Sequence, residues 1–321
     1  MTGKNRKSAT DQDLVWFITG CSTGFGRDLA KQTLKCGYST VVTARDIDDI
    51  KDLAADPRSL ALKLDVTDQD QAEKAIKIAE NKFGHIDVLV NNAGIGYFAA
   101  VEESEEDEIR KMFEVNVFGL SRMIHLALPG MRKRRSGCIV NISSLAGICT
   151  MPSLGYYNAT KFAVEGLSGA LVKEVEPLGI KVMVVEPSGF RTDWAGRSAD
   201  ESKHQISDYN ETAGAARKHL RALSGKQAGD PVRAAKAIIE AVESGLPPHH
   251  LLLGNQAYEG AMAKLEDLKR EFAACEKIAR GADHPPDEIE LQKQAAGASS
   301  DNTDKHAEPT YQVEQNVQYR A

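Results

Sequence analysis

From residue 14 onward, short apolar runs alternate with stretches of helical periodicity. The first run, Leu14–Ile18, is too short for a helix and ends at Thr19-Gly20, which predicts a buried strand. The same reasoning applied along the chain predicts strands at 14–18, 40–44, 60–64, 86–90, 137–142, 180–185 and 251–253, and helices at 26–35, 68–83, 105–133, 157–176 and from Asp230-Pro231 onward.

Strands that alternate with helices predict a parallel sheet with helices on both faces. The predicted strands are almost continuously apolar, as is typical of strands that are buried on both sides. We therefore expect an α/β fold with one doubly wound parallel sheet of about seven strands. A single domain is predicted to span residues 14–282.

Three segments fall outside this alternation. Residues 1–13 are polar and predict a disordered lead. Residues 194–229 lack a clear periodicity and have the length of a cover over an active site. Residues 283–321 are rich in polar side chains and predict a disordered or loosely attached tail.

Composition narrows the functional classes. The chain has 321 residues, of which 42% are hydrophobic and 27% charged, with a formal net charge of −6, so a globular protein is expected. One basic cluster, Arg132–Arg135, is interpreted as the solvated carboxyl end of a helix. No nucleic-acid partner is therefore expected. The residues 1–13 do not resemble a signal peptide, and no apolar run approaches the roughly 20 residues that span a bilayer.

The five cysteines are odd in number and none has CxxC spacing, which disfavours a disulfide framework and a metal site. Reduced thiols and a cytoplasmic location are the expectation. They are Cys21, Cys36, Cys138, Cys149 and Cys275.

A glycine-rich turn lies between the first predicted strand and the first predicted helix. Glycines at this place let the backbone turn tightly and approach a pyrophosphate, while the helix N-terminus offers free N–H groups. This position within a strand–helix–strand unit predicts a dinucleotide site. The residues expected to bind there are Gly20, Ser22, Thr23, Gly24, Phe25 and Gly26.

The second predicted strand ends at Ala44-Arg45. An acidic residue near this position would bond a ribose 2′-hydroxyl, whereas an arginine accommodates a 2′-phosphate, so NADP(H) is favoured over NAD(H). Arg45 could instead pair with Asp46 or Asp48 at the surface.

Two further strand ends carry polar side chains. Asp65 is placed where it could recognise an adenine amino group, or it could cap the next helix. Asn91 and Asn92 end the fourth predicted strand, at the edge where open α/β sheets bind ligands. Either asparagine could instead be a buried structural hydrogen-bonding residue.

Tyr157 and Lys161 lie four residues apart and share one face of a predicted helix. A nearby ammonium favours phenolate, so a lowered pKa of Tyr157 is expected. Such a tyrosine can exchange a proton with a substrate oxygen.

Ser143-Ser144 and Asn116 are further candidates. A serine hydroxyl after the strand 137–142 could hydrogen-bond the substrate oxygen, or it could cap a turn. Asparagine is a poor residue within a helix. Asn116 could therefore hold a water or distort its helix, or it could be an ordinary polar residue on a crowded face.

These motifs together resemble those of the short-chain dehydrogenase/reductase family in its single-domain form. The matches occur in the family's order over about residues 14–253. They are TGCSTGFG (19–26), LDVTD (64–68), NNAG (91–94), Asn116, the serine pair before LAG, YNATK (157–161) and EPSGFRT (186–192).

The resemblance implies a Rossmann-type fold and a catalytic tetrad of Asn116, Ser144, Tyr157 and Lys161. Ser144 is preferred to Ser143 because the family places its serine thirteen residues before the tyrosine. In the family, the lysine also holds the nicotinamide ribose and the asparagine positions a water. The cofactor residues that it implies beyond the glycine turn and Arg45 are Asp65, Val66, Asn92, Ala93, Gly94, Tyr157, Lys161, Pro187, Ser188, Gly189 and Thr192.

In one place the chain departs from the family pattern. Ser188 stands where the family usually shows glycine, and Gly189 follows one position later. The conformation of the loop on the nicotinamide side is therefore open. Shorter features resemble ketoreductases and hydroxysteroid- or retinol-dehydrogenase-like enzymes, and the family implies a homodimer or homotetramer built on the two long helices.

The expected function is NADP(H)-dependent interconversion of a ketone or aldehyde and an alcohol, with Tyr157 as the general acid and base. Residues 95–98, 146–154 and the Trp194 segment are expected to line the pocket, and the many apolar residues among them predict a moderately apolar small-molecule substrate. Two alternatives stay open: an NAD-preferring alcohol dehydrogenase, and a nucleotide-sensing or scaffold protein without catalysis.

Overall fold

Seven parallel strands form the central sheet, as the sequence predicts. The computed structural model describes residues 14–194, 196, 198–285 and 288–290. The strand order is β3-β2-β1-β4-β6-β7-β9, so the order reverses between β1 and β4, the point at which open α/β sheets bind ligands. The strands are β1 Val15–Ile18, β2 Ser39–Ala44, β3 Ser59–Lys63, β4 Val88–Asn91, β6 Gly137–Ile142, β7 Ile180–Pro187 and β9 His250–Leu253.

Helices cover both faces of this sheet, and several begin or end at residues that explain their bounds. Asp68 and Asp230 accept hydrogen bonds from backbone N–H groups at the starts of α2 and α7, and Gly37 ends α1 in the left-handed conformation. The helices are α1 Gly24–Cys36, α2 Gln69–Phe83, α3 Glu106–Phe113, α4 Leu120–Arg134, α5 Gly155–Val175, α6 Ala215–Ala222, α7 Pro231–Glu243, α8 Asn255–Ala274 and α9 Glu276–Arg280.

The core consists of two apolar layers that the central sheet separates. Alternate residues of β1 point to opposite faces. Trp16 and Ile18 pack with residues of α1 and α7, whereas Phe17 packs with residues of α2, α4 and α5. All three side chains are fully buried, which explains the continuous apolar run that predicted this strand.

The segment predicted to be irregular, 194–229, is only partly so, and that prediction is wrong in two places. It contains a short strand, β8 Ala199–Glu201, and the helix α6. β8 pairs in parallel with β5 Gly96–Phe98 in a separate two-stranded sheet. Both elements are short, with three residues in β8 and eight in α6, so each covers too little of the chain for its pattern to stand out.

The predicted continuous helix 105–133 is also corrected. A π-helical turn at Glu114–Gly119 separates α3 from α4. The long helix α8 was not predicted, because only Ala257 and Ala261 of its residues are buried and its apolar pattern is weak.

Two compact units divide the chain, residues 1–265 and 266–321. All nine strands belong to the first. The second includes the end of α8 and the whole of α9. The predicted boundary at 282 stays a prediction, and residues 1–13, 286, 287 and 291–321 lie outside the described residues. Within the described part, no helix combines the length and apolarity needed to cross a membrane.

Candidate active site

A cavity of about 970 Å³ runs along the carboxyl ends of the central strands. It brings together residues from the glycine turn, from the ends of β2, β4, β6 and β7, and from α5. Every residue predicted to bind cofactor lines it except Gly26, and so do Ser144, Tyr157 and Lys161. Asn116 does not line it.

The glycine turn lies directly against the end of β4. The Asn92 side-chain amide donates to the carbonyl oxygens of Thr19 (2.9 Å) and Gly20 (3.0 Å). A β-carbon on Gly26 would collide with that amide and with Gly20 O, while Gly20 and Gly24 have φ of 71° and 58°. Glycine is therefore required here for close approach and for backbone conformation.

The N-terminus of α1 faces this cavity without a side-chain cap. Thr23, the residue before the helix, makes no capping hydrogen bond. The first-turn N–H groups are thus left for another acceptor, and a helix N-terminus favours phosphate. The residues present fit the pyrophosphate of a nicotinamide dinucleotide.

At the far end of the cavity, Arg45 lines the wall and forms no ion pair with Asp46 or Asp48 within the described part of the chain. The surface pairing that the sequence left open is therefore absent. The Asp65 carboxylate accepts hydrogen bonds from Thr67 N (2.9 Å) and Thr67 Oγ1 (2.7 Å), and the helix-capping role belongs to Asp68 instead.

The two asparagines at the end of β4 differ. Asn91 is buried, and its side-chain amide donates to Asn141 Oδ1 at 2.9 Å, so it has the structural role. Asn92 lines the cavity while fixing the glycine turn, so both interpretations of this residue are compatible with its position.

Tyr157 and Lys161 are both buried on one face of α5. The Lys161 ammonium lies 5.7 Å from the centroid of the Tyr157 ring and donates to Ile142 O at 2.8 Å. Ser144 Oγ accepts from Ala146 N (3.1 Å) and so caps the short turn Leu145–Gly147. Ser144 thus caps a turn and also lies on the cavity wall.

Burial sets the pKa values of this pair. Desolvation raises the pKa of Tyr157, and a hydrogen bond with Ser144 opposes the rise without overcoming it. The predicted lowering of the Tyr157 pKa is therefore wrong for this structure. Desolvation also lowers the pKa of Lys161 to about 8, against the attraction of Glu165.

Asn116 lies in the π-helical turn and is buried. Its Oδ1 accepts from Ile95 N and its Nδ2 donates to Ile95 O, both at 2.9 Å, and Nδ2 also donates to Thr160 Oγ1 at 3.2 Å. It thereby joins the residue after the NNAG motif to α5, next to Lys161. The helix distortion that its position suggested is present, and the water-holding role stays a prediction.

The loop after β7 accommodates Ser188 without strain. Its N–H donates to Leu253 O at 3.0 Å. Among the described residues other than glycine, positive φ occurs at Arg135 and Ser153, so the backbone at Ser188 does not require glycine. Thr192 lies opposite Gly24, at the N-terminus of α1.

Trp194 lines the cavity beside Tyr157, as expected of the Trp194 segment, but its ring contacts were not predicted. The Trp194 ring lies 4.8 Å from the Tyr157 ring and 5.6 Å from the Phe98 ring, measured between centroids. A β-carbon on Gly96 would lie 2.8 Å from Trp194 Cζ2, so glycine admits the indole. The sequence signal for this residue was the tryptophan itself, one of two in the chain, two residues after the EPSGFRT motif.

Comparisons with known proteins agree with this geometry. The family model described as short chain dehydrogenase matches residues 14–203. The chain is 39% identical over 258 residues to oxidoreductase BOA17 of Botryotinia fuckeliana, with 79% of this chain and 93% of that protein covered. The crystal structure of a short-chain dehydrogenase from Streptomyces avermitilis is 40% identical, with a TM-score of 0.79 and coverage of 85% of this chain and all of that one.

A solved structure of ElxO with NADP bound is 27% identical, with a TM-score of 0.64 and coverage of 77% of this chain and 100% of that one. A nicotinamide nucleotide thus occupies a related fold. The family-model match, the relatives and the seven-stranded sheet together show that the chain belongs to the short-chain dehydrogenase family of oxidoreductases.

Proposed function

We propose that the chain reduces a ketone or aldehyde to an alcohol with NADPH, with Tyr157 as the proton donor. The observation that carries the proposal is a buried phenol that lies near Lys161 and lines, with Ser144, the wall of a cavity that begins at the glycine turn. NADPH supplies the hydride when bound.

The side chains divide the remaining work. Ser144 donates a hydrogen bond to the carbonyl oxygen, and Tyr157 gives it a proton as it gains negative charge. Burial raises the Tyr157 pKa, so at neutral pH the phenol carries the proton that reduction requires. The Lys161 ammonium stabilises the phenolate that forms. Since the pKa of Lys161 is about 8, reduction should slow as pH rises through that value.

NADPH is preferred to NADH in this proposal because Ala44 provides no carboxylate for a 2′-hydroxyl and Arg45 provides a cation. An NAD-preferring alcohol dehydrogenase is the second candidate. The Trp194 ring, which lines the cavity beside Tyr157, favours a moderately apolar substrate. We further propose a cytoplasmic homodimer or homotetramer that buries the exposed side chains of Phe118, Phe162 and Leu167.

The test is a panel of ketones, aldehydes and alcohols assayed by NADPH absorbance. Tyr157→Phe should lower kcat about 10²–10⁴-fold, the usual contribution of general acid catalysis, while the Kd for NADPH stays unchanged. Tyr156→Phe is the matched control, because that neighbouring phenol has no assigned role. If Tyr157→Phe keeps most of the activity, the assignment is wrong.

A further inference from the structure

A second polar cluster lies behind the active site, outside the residues assigned to catalysis. It joins Glu165 of α5, Glu186 of β7 and His250 at the start of β9. One ligand atom from each lies within 4.8 Å of the others. His250 Nδ1 is 2.6 Å from Glu186 Oε1 and 3.8 Å from Glu165 Oε2.

Four buried oxygen atoms in this cluster have no hydrogen-bonding partner within the described part of the chain. They are both carboxylate oxygens of Glu165, Glu186 Oε2 and Ser143 Oγ. Glu186 is fully buried and Ser143 is 2% exposed. A buried polar atom without a hydrogen-bonding partner costs free energy of folding. Four such atoms in one place therefore indicate a missing partner.

Ser143 belongs to the cluster by position. Its Oγ and Glu165 Oε1 lie 2.7 and 2.9 Å from the point where a β-carbon on Gly147 would be. The hydroxyl is near enough to Glu165 to oppose the rise in its pKa, although it is not aligned for a hydrogen bond. Gly147 thus keeps open the space that these two oxygens face.

The charges of the cluster favour a cation. Glu165 and Glu186 bring two acidic side chains to one place, one of them fully buried. The basic groups that face them are His250 and Lys161, which lies one turn earlier on α5. His249 lies beside His250, but its Nδ1 faces Val182 O. Two carboxylates therefore share one exposed imidazole.

We propose that Glu165, Glu186, His250 and the Ser143 hydroxyl bind a divalent transition-metal cation of the zinc type. Zinc bonds to imidazole nitrogen and carboxylate oxygen are about 2.0–2.2 Å long, so a tetrahedral site places neighbouring ligand atoms roughly 3.3–3.6 Å apart. The separations of 2.6 and 3.8 Å lie on either side of that range, and all three ligand atoms lie within 4.8 Å of one another, so side-chain rotation would close the site around an ion.

The donor set also discriminates between cations. Magnesium prefers an octahedron of oxygens and keeps its water, so an imidazole ligand disfavours it. Zinc accepts mixed nitrogen and oxygen donors. The His250 side chain is 57% exposed and provides the entry path from solvent.

The test is calorimetric titration of zinc chloride into the full-length, tag-free protein. Cys36→Ser and Cys275→Ser are introduced first, because these two exposed thiols could bind zinc themselves. One zinc per chain should bind, with affinity that rises from pH 6 to pH 8 because protons compete for the same atoms. Magnesium should bind far more weakly. Cobalt(II) should develop visible absorption bands of a low-coordinate site, which zinc then displaces.

Two variants and one control locate the site. His250→Asn and Glu186→Gln should each weaken zinc binding more than about tenfold, since even outer partners of metal ligands contribute that much. His249→Asn is the matched control and should bind as the parent does. His250 is exposed, so its variant keeps the test valid if Glu186→Gln fails to fold by circular dichroism.

The inference is overturned if zinc does not saturate one site per chain, or if His250→Asn and His249→Asn bind it equally. Magnesium binding as tight as zinc binding would also overturn it. None of these results depends on the oxidoreductase activity, so they can be distinguished from a failure of the proposed function.

Discussion

Two walls of the same cavity are held in place by different interactions. The nucleotide wall consists of residues 19–26 and 91–94. The cover wall consists of residues 198–223, which pack against residues 96–105. The nucleotide wall relies on close backbone approach: Asn92 bonds the carbonyls of Thr19 and Gly20, and Gly26 leaves room for its amide. No ion pair joins these residues among those described.

The cover wall relies on one buried carboxylate. Glu103 accepts hydrogen bonds from Ala100 N (3.0 Å) and Ile206 N (2.9 Å), and it pairs with Arg217 of α6 at 3.3 Å. Both side chains of that pair are almost fully buried. The stability of the nucleotide wall should therefore depend most on the absence of extra atoms, whereas that of the cover wall should depend most on the Glu103 charge.

The largest expected effect is on the cover wall. Glu103→Gln leaves the buried guanidinium of Arg217 without its counter-charge, which should lower the free energy of unfolding by about 3–5 kcal/mol. The KM for the carbonyl substrate should rise more than the Kd for NADPH. Thermal unfolding and steady-state kinetics measure the two effects.

Glu102→Gln is the control for this change, because Glu102 is exposed and its contact is with the Tyr209 hydroxyl.

The buried Glu103 carboxylate also predicts that stability depends on pH. Burial acts to raise its pKa, but hydrogen bonds from Ile206 and Ala100 and the Arg217 charge hold that pKa below the usual value. Its contribution to stability is therefore complete above about pH 5 and is lost as pH falls through the lowered pKa. Equal acid sensitivity of Glu103→Gln and the parent would contradict this.

The next effect concerns added atoms on the nucleotide wall. Gly26→Ala places a methyl group against Asn92 Nδ2 and Gly20 O, and overpacking of this kind costs about 1–3 kcal/mol. Weaker NADPH binding should accompany the loss, because the turn must move. Gly166→Ala on α5 meets nothing within 4 Å and should stabilise the helix by about 0.5–1 kcal/mol. Isothermal titration measures NADPH affinity and thermal unfolding measures stability. If Gly26→Ala and Gly166→Ala have the same affinity and the same stability, Gly26 is not needed for close approach of the backbone.

The smallest expected effect is at Arg45, which lines the same cavity outside the two walls. Arg45→Ala should lower kcat/KM for NADPH about tenfold, the value of one charge-assisted contact, and leave NADH unaffected. Lys51→Ala removes a nearby exposed charge as the control. If both cofactors suffer equally, Arg45 does not read the 2′-phosphate, and the NAD-preferring alternative gains support.

The nucleotide wall was largely predictable, since its features are local. The apolar run of β1, the glycines that follow it and the four-residue spacing of Tyr157 and Lys161 each lie within a few neighbouring residues. The cover wall was not predictable. β8 and α6 are short, and their partners are distant along the chain: β8 pairs with β5, and Arg217 of α6 pairs with Glu103, which lies about a hundred residues earlier.

Hydrophobic period and motif spacing are properties of neighbouring positions, so they were enough to predict the parallel α/β sheet, the family and most of the cavity residues. The partners of Asn116, the ring contacts of Trp194 and the meeting of Glu165 with Glu186 and His250 emerged only in the folded chain. Tertiary structure also reversed the expected pKa shift of Tyr157. Burial and long-range contact set these properties, and both depend on residues that meet only when the chain folds.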